Sequence, residues 1–246
     1  MKRVVILTLL CLGTMVASAQ KVRLMSYNVR NCLGIDKVKS IERCAEVIRA
    51  SKADVIAVQE LDSMTRRNKC YMIGELAERT GYHPYFHRTI PYRGGSYGIG
   101  MLSKEPALSV EFYRLPCRKE PRGLLVVEFE KFYYLCTHLS LSKPHRLESV
   151  EIIRDVVSKL DKPAFLAGDF NAKPHSETIT ELRTFMTLLS DDKQFTFPSD
   201  EPRSCIDYIM GYNCPFKAKR RRVIDTPASD HCPICVDIKM GKTKKK

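Results

Sequence analysis

Five short segments of this 246-residue chain place polar side chains directly after apolar runs. Apolar runs of this length are typical of core strands, and strand ends are where a rigid scaffold displays reactive groups. The polar residues supply hard oxygen ligands and imidazoles. Together they indicate one shared site for a hard cation and a phosphate group. The five segments are Ser26–Asn28, Gln59–Glu60, Thr137–Leu139, Gly168–Asn171 and Ser229–His231.

Two carboxylates in apolar surroundings carry much of this argument. Glu60 closes the run that begins at Val55, and a carboxylate there costs desolvation unless it is paired or binds a metal. A helix cap or an ordinary ion pair would satisfy it equally well. Asp207 lies inside the apolar run 205–210 and therefore needs a partner, which His231 could provide.

The segment around Asp169 combines a glycine, a carboxylate and an amide. Gly168 would let the backbone approach a substrate closely. Asn171 follows Asp169 by two residues, so an extended segment would direct both side chains to the same side. The Asn171 amide could then hold a phosphate oxygen or a water molecule.

The order of these residues resembles the endonuclease/exonuclease/phosphatase superfamily, which has the DNase I-like fold. The resemblance covers nearly the whole chain after the first nineteen residues, from Asn28 to His231. Each motif alone occurs by chance, whereas the ordered set is specific, and it is most similar to exported bacterial members. Five further stretches agree with it: Gln59–Asp62, Thr65–Arg67, Tyr97–Ser103, Pro121–Gly123 and Thr196–Ser199.

The resemblance implies a metal site and a phosphate site. Glu60 matches the principal Mg²⁺ ligand, and Asn28 and Asp230 match residues beside the metal. Mn²⁺ or Ca²⁺ would be substitutes for Mg²⁺. The residues that match substrate-phosphate contacts are Asn28, Arg122, His138 and Asn171.

The resemblance also implies the catalytic residues. His231 matches the catalytic histidine and Asp207 the residue that orients it, fixes its tautomer and raises its pKa. Asp169 matches the residue that orients or deprotonates the attacking water, with His138 and Asn171 beside it. Histidine suits either proton role because its pKa lies near neutrality. Whether His231 or Asp169 takes the proton stays open at this point.

Hydrophobic periodicity predicts about ten strands and three or four helices. Adjacent strand pairs, including a hairpin around 130–131, require antiparallel pairing. We therefore predict two packed, mixed and largely antiparallel sheets with helices outside, which the resemblance refines to a four-layer α/β/β/α sandwich. The predicted helices are 37–50, 71–79, 147–160 and 176–188. The predicted strands are 22–27, 54–58, 97–102, 107–112, 124–129, 132–136, 163–167, 206–210 and 234–238.

Residues 1–19 are typical of a secretory signal peptide. Lys2 and Arg3 precede an apolar stretch that ends at Leu12, and the small residues at 17–19 fit a cleavage site before Gln20. The apolar stretch is too short to span a bilayer comfortably as an anchor. We expect a periplasmic or extracellular protein with a single domain over 20–246, no transmembrane segment and a monomeric state.

Charge and cysteine content add weaker constraints. The formal net charge is +13, or +11 once Lys2 and Arg3 are removed, which favours anionic partners. The basic run 217–222 is either solvated surface or a flank of the site. Nine cysteines would remain after cleavage, an odd number, and we expect Cys136, Cys205 and Cys235 to be buried. The disulfide pattern is not determined.

The superfamily cleaves DNA, RNA, inositol phosphates and sphingomyelin, so the fold alone does not fix the substrate. The segment around His138 is similar to the DNase, sphingomyelinase and phosphatase branches. The absence of Trp and of interleaved aromatic and basic residues argues against specific nucleic-acid recognition. Arg66 and Arg67 either clamp an anionic headgroup or form structural ion pairs.

We therefore predict an exported Mg²⁺-dependent phosphoester hydrolase that acts on a small or lipid-linked phosphate. The alternative is a nonspecific DNase-like endonuclease, because the positive charge also suits nucleic acid. A noncatalytic polyanion-binding protein is a more remote alternative, and the completeness of the predicted site argues against it.

Overall fold

The computed structural model describes residues 20–240, so the predicted signal peptide lies outside the described residues. The strands are β1 (Gln20–Asn28), β2 (Val55–Thr65), β3 (Asn68–Tyr71), β4 (His83–Tyr92), β5 (Gly95–Ser103), β6 (Ser109–Leu115), β7 (Arg122–Glu128), β8 (Tyr133–His138), β9 (Ala164–Asp169), β10 (Thr187–Leu188), β11 (Asp207–Tyr212), β12 (Ala218–Val223) and β13 (Ile234–Met240). The helices are α1 (Ile41–Ser51), α2 (Met72–Thr80), α3 (Lys143–Ser158) and α4 (Glu177–Arg183).

The strands form two mixed sheets. The first sheet has the order β12-β13-β1-β2-β5-β4, with β3 paired to β2, and the second has the order β10-β11-β9-β8-β7-β6. Each sheet contains one parallel pair, β1 with β2 and β8 with β9, and the crossovers within these pairs carry α1 and α3. The remaining pairings are antiparallel. This confirms the predicted pair of largely antiparallel sheets.

Three apolar clusters separate four layers. Side chains such as Leu24 from the first sheet and Phe165 from the second fill the space between the sheets. The outer face of the first sheet packs against α1 and α2 through residues such as Ile48. The outer face of the second packs against α3 and α4 through residues such as Ile153 and Leu182. The fold is therefore an α/β/β/α sandwich, as predicted.

The cysteines expected in the core are there. Cys136, Cys205 and Cys235 are each about 1 % exposed or less. The structure contains no disulfide among residues 20–240. None of the helices in that range is both long and apolar enough to traverse a bilayer.

Three helix boundaries differ from the prediction by four residues or more, and one of them is the start of α3 at Lys143 and not at 147. Helix α1 begins at Ile41 and not at 37, because Ser40 caps it by accepting a hydrogen bond from the Arg43 N–H at 3.2 Å. Helix α4 ends at Arg183 and not at 188, because residues 187–188 pair with β11 as a short edge strand. Tertiary pairing thus overrides the local helical pattern there.

The prediction missed the edge strands β4 and β12. Strand β4 contains Pro84 and Pro91, which an edge position tolerates but which obscure the strand pattern in the sequence. Strand β12 is the basic run, and charged residues commonly protect an edge. Residues of β12 align through β13 with 22–25 of β1, and Arg222 donates to the Ser51 carbonyl, before the start of β2. The run therefore lies beside the middle of β1, away from the strand ends that carry the predicted site.

Gly168 is required by strand pairing, whereas the close approach of its backbone to a substrate stays a prediction. It pairs with Thr137 in the parallel register between β8 and β9. A Cβ atom added at Gly168 would lie 1.9 Å from the Thr137 carbonyl oxygen. A larger residue would therefore push apart the two strands that end at His138 and Asp169.

We expect Gly168→Ala to lower the free energy of unfolding by about 3 kcal/mol, because the added methyl group collides with backbone that cannot move alone. Urea denaturation measures this change. Gly81→Ala is the matched control. Gly81 also has a positive φ, but a Cβ there meets nothing within 4 Å, so about 1 kcal/mol is expected. Equal losses in the two variants would contradict the collision.

Candidate active site

The predicted site residues converge at one edge shared by both sheets. Parallel strands place their carboxyl ends together, and ligands commonly bind outside those ends. In the first sheet, Asn28 at the end of β1 is in register with Gln59. In the second, His138 is in register with Asp169, which is also paired with Asp207 at the start of β11.

Glu60 is aimed into this edge by a β-bulge. The pairing of β2 with β5 shifts between Val58 and Leu61, and Glu60 itself has φ +61°, in the left-handed region. Its carboxylate accepts a hydrogen bond from Asn28 Nδ2 at 3.1 Å. Burial raises the pKa of Glu60, and the Asn28 hydrogen bond offsets only part of the shift. This carboxylate is therefore poorly compensated by the protein alone.

Asn28 is fully buried and turns its amide nitrogen toward the site. Besides Glu60, Nδ2 contacts Asp169 Oδ2 at 3.2 Å and His231 Nε2 at 3.5 Å. Its Oδ1 accepts from the Arg30 N–H at 3.0 Å. In this orientation Asn28 turns its amide nitrogen to the two carboxylates, and its contacts with a metal or a phosphate stay predictions.

His231 and Asp207 form a buried ion pair. The Nδ1–H of His231 donates to Asp207 Oδ2 at 3.0 Å, and Thr196 Oγ1 donates to the same oxygen at 2.6 Å. The ring of Phe197 lies 4.8 Å from the imidazole, centroid to centroid. Burial opposes protonation of His231, but Asp207 and Asp169 outweigh it and raise its pKa to about 10. His231 is therefore an imidazolium at neutral pH.

Asp169 lies between the two histidines. Its Oδ1 accepts from the Asn171 N–H at 2.9 Å, and its Oδ2 is 3.4 Å from His138 Nε2 and 3.7 Å from His231 Nε2. Burial raises the pKa of Asp169 to about 7, with His231 opposing the shift and Asp207 adding to it. A carboxylate with this pKa can exchange a proton near neutral pH.

His138 is held in its neutral form. Arg122 Nη1 donates to Glu120 at 2.7 Å and contacts His138 Nδ1 at 3.2 Å. Burial, followed by the charges of Arg122 and His231, lowers the pKa of His138 well below its usual range. Since Arg122 can only donate, the His138 proton lies on Nε2, toward Asp169. The buried Nε of Arg122 has no acceptor within residues 20–240.

Asn171 differs from its predicted geometry. Its φ is +49°, so the segment after Asp169 is not extended and the two side chains do not run parallel. The Asn171 amide instead donates to the Leu139 carbonyl at 3.0 Å. It therefore braces the loop that follows His138, and its contact with a phosphate stays a prediction.

Asp230 is paired at the rim of the site. Its carboxylate lies 3.2 Å from Arg30 Nε, and its charge contributes to the raised pKa of Glu60. The neighbouring Ser229 hydroxyl donates to the Asn28 carbonyl at 2.7 Å and so ties the segment before β13 to the end of β1. Glu60 and Asp230 thus offer hard oxygen donors on one side of the site.

A second group of donors is equally compact. Ligand atoms of Asp169, Asp207 and His231 all lie within 4.8 Å of one another. Each of the three is already engaged, however: Asp207 by His231 and Thr196, and Asp169 by backbone and Asn28. Glu60 has a single donor, Asn28, among the described residues. Asp230 is engaged as well, by Arg30, so Glu60 is the carboxylate with the fewest protein partners and the strongest candidate for the cation side of the site.

The sequence did not assign roles to several residues that shape the site. Thr196 and Phe197 belong to a stretch that supported the resemblance, yet their contacts with Asp207 and His231 depend on a loop closing over β11. Glu120 holds Arg122 through a carboxylate two residues away. Only the short spacing of Glu120 from Arg122 gave a local signal.

Comparison with known proteins gives one family. A sequence model of the Endonuclease/Exonuclease/phosphatase family matches residues 25–231. No curated protein sequence matches the chain at a significant level.

Several solved structures share the fold. An endonuclease/exonuclease/phosphatase from Beutenbergia cavernae has a TM-score of 0.75 at 22% identity, covering 90% of this chain and 72% of its own. A family protein from Bacteroides thetaiotaomicron has a TM-score of 0.73 at 19% identity, covering 92% and 100%. The mannosyl-6-phosphatase Bt3783 of the same species has a TM-score of 0.69 at 19% identity, covering 88% and 99%. At these identities the likeness shows the fold alone.

The raised pKa of His231 makes a prediction for the metal-free protein. A histidine whose pKa is about 10 when folded and about 6.5 when unfolded stabilises the fold fully below pH 6.5. That contribution is lost as the pH rises toward 10. The parent should therefore lose on the order of 3 kcal/mol relative to His231→Gln between pH 6 and pH 9.5.

Urea denaturation in EDTA at the two pH values measures the difference. His175→Gln, at an exposed position, is the control and should keep a constant offset from the parent. A constant gap between the parent and His231→Gln would show that the Asp207 pair does not hold the proton.

Proposed function

Because the chain belongs to the endonuclease/exonuclease/phosphatase family, we propose that it is an exported, Mg²⁺-dependent hydrolase of small or lipid-linked phosphoesters. Members of this family are generally phosphoesterases or nucleases that depend on a divalent metal. The observation that carries the proposal is the imidazolium of His231 beside Asp169, with the Glu60 carboxylate bound to the same Asn28 amide. The enzyme is a monomer with one domain over 20–246 that acts in the periplasm or outside the cell.

Glu60 and Asp230 would hold the metal. Both offer carboxylate oxygens, which Mg²⁺ prefers, and Mn²⁺ or Ca²⁺ are chemically reasonable substitutes. Burial raises the pKa of Glu60, and an adjacent cation would favour its charged form. When bound, such an ion neutralises phosphate charge and favours a nucleophilic water. The residues present therefore fit the metal that the family uses.

The remaining catalytic roles fall to side chains of the protein. His231 is already protonated, so its Nε2–H can donate to the phosphate oxygens as negative charge develops. Asp169, with a pKa of about 7, would orient the water and take its proton. Asn28 and Arg122 supply further donors to the phosphate. This division favours Asp169 over His231 as the base.

A small substrate is supported by where the charge lies. The basic run of β12 lies away from the active-site edge. This position weakens the case for a nuclease, which would need positive charge along the path of a nucleic-acid backbone through the site. A protein of the same fold is described as a mannosyl-6-phosphatase, so the scaffold accommodates a small phosphate substrate. A DNase-like endonuclease is the alternative that the substrate panel below tests.

We expect activity to vanish in EDTA and to return with Mg²⁺. Glu60→Gln should raise the Mg²⁺ concentration needed for half-maximal activity at least about tenfold, because the amide lacks the ligand charge. The Mg²⁺-induced rise in melting temperature should weaken in parallel. Glu111→Gln, exposed on β6, is the control. Full activity of the parent in EDTA would exclude the metal proposal.

His231→Ala should lower kcat by about two to four orders of magnitude while the protein stays folded, because the donor to the developing charge is gone. Initial rates on sugar phosphates, inositol phosphates, sphingomyelin and plasmid DNA measure the loss, and His175→Ala is the matched control. A preference for DNA, with binding that falls steeply as salt is added, would favour the nuclease. An unchanged rate for His231→Ala would refute the catalytic assignment.

A further inference from the structure

A second feature of the active-site edge is a cleft beside Glu60. It is open to solvent, has a cavity volume of about 140 Å³ and lies between the bulge of β2 and the hairpin of β4 and β5. Glu60 forms one wall, so a group attached to a phosphate at the active site would enter this space. The lining residues are Glu60, Arg67, Ile90, Tyr92, Tyr97 and Glu120.

Arg67 is rigidly held at the side of the cleft. Its Nε and Nη2 bind both oxygens of Asp62 at 2.6 and 2.9 Å, and Asp62 is fully buried. Asn68 and Thr65 donate to the same carboxylate. Arg67 Nη1 takes no part in this pairing and has no acceptor within residues 20–240. It therefore offers a fixed donor to a ligand.

Two tyrosines form the floor next to Arg67. The guanidinium carbon of Arg67 lies 4.7 Å from the Tyr92 ring centre and 5.9 Å from that of Tyr97. The rings themselves are 5.8 Å apart and tilted by 53°. The Tyr97 hydroxyl has no hydrogen-bond partner in the described part of the chain. Burial, with the charges of Glu60 and Glu120, raises its pKa, so this hydroxyl stays a donor at the base of the cleft.

The charges of the cleft are already balanced. Arg67 is neutralised by Asp62, and Arg122 behind the cleft is paired with Glu120. Arg93 contacts the Tyr92 ring but does not line the cleft. A second phosphate would therefore meet the carboxylates of Glu60 and Glu120 without a free cation to receive it. Carboxylates and fixed N–H or O–H donors instead match ring hydroxyl groups, which both donate and accept.

We propose that this cleft binds a neutral polyhydroxylated ring, a sugar or a cyclitol, carried by the phosphate that the enzyme cleaves. The inference rests on the proposed phosphoester hydrolysis and adds the chemical class of the group that the phosphate carries. Arg67 Nη1 and the Tyr97 hydroxyl donate to the ring, Glu120 accepts from it, and the tyrosine rings cover its apolar face. These residues select the substrate and take no part in bond cleavage.

The test compares substrates with and without ring hydroxyls. Hexose 6-phosphate and myo-inositol 1-phosphate, with their methyl diesters, are measured against phenyl phosphate and its methyl diester. Hexose 1,6-bisphosphate adds a second charge. The parent should prefer the polyol esters over the phenyl esters and the monophosphate over the bisphosphate, and the two polyol series distinguish a sugar from a cyclitol.

Tyr97→Phe and Arg67→Lys should each lower the ratio of kcat/KM for the polyol ester to that for the phenyl ester at least about tenfold, mainly through KM. Tyr97→Phe removes a hydroxyl that no protein group binds, so its melting temperature should match the parent. The controls are Tyr113→Phe, a surface tyrosine that donates to Glu111, and Arg154→Lys, an arginine stacked on Phe185.

The outcomes separate this inference from the proposed function. A parent that hydrolyses neither series refutes the proposed function itself. A parent that hydrolyses both series, with a ratio that Tyr97→Phe and Arg67→Lys leave unchanged, refutes the cleft while the hydrolase stands. A preference for phenyl esters or for the bisphosphate would also overturn the neutral polyol assignment.

Discussion

The parallel pairing of one strand couple in each sheet is the constraint on which the site depends. Because β1 is parallel to β2 and β8 is parallel to β9, Asn28, His138 and Asp169 end at one edge of the sandwich, where the bulge of β2 places Glu60. The antiparallel neighbours β11 and β13 begin at that same edge and bring Asp207 and, through the loop before β13, His231. Residues far apart in the sequence meet because backbone hydrogen bonding fixes where each strand stops.

Burial at this edge separates the proton affinities of neighbouring groups. Asp207 and Asp169 raise the pKa of His231 to about 10, whereas burial beside Arg122 lowers that of His138. Asp169, between them, is shifted to about 7. One histidine is thus charged and the other neutral although both are buried. The same fold therefore supplies a fixed cation, a neutral donor and an exchangeable carboxylate at one edge.

The sequence predicted the sheets, the layers and the residues at the site, because apolar runs and their polar ends are local patterns. It could not predict the edge strands β4 and β12, whose prolines and charges conceal the strand pattern. The sequence could not predict the orientation of two side-chain amides either. The Asn28 amide is oriented by the Arg30 N–H, which donates to its oxygen, and the Asn171 amide is oriented by the Leu139 carbonyl, to which it donates. The cleft at Arg67 depends on β4, which the prediction lacked.

The bulge at Glu60 determines how β2 responds to the loss of a residue. Ile56, Val58 and Leu61 all pack against the helices, although strict alternation would turn Leu61 between the sheets and Glu60 toward α1 and α2. The extra residue resets the alternation once, so the apolar pattern resumes beyond it while the carboxylate stays free. Surface loops of this protein can gain or lose residues. The segment from Val58 to Leu61 is different, since deleting one residue there would restore regular pairing with β5 and remove the bulge that directs Glu60 to the active-site edge.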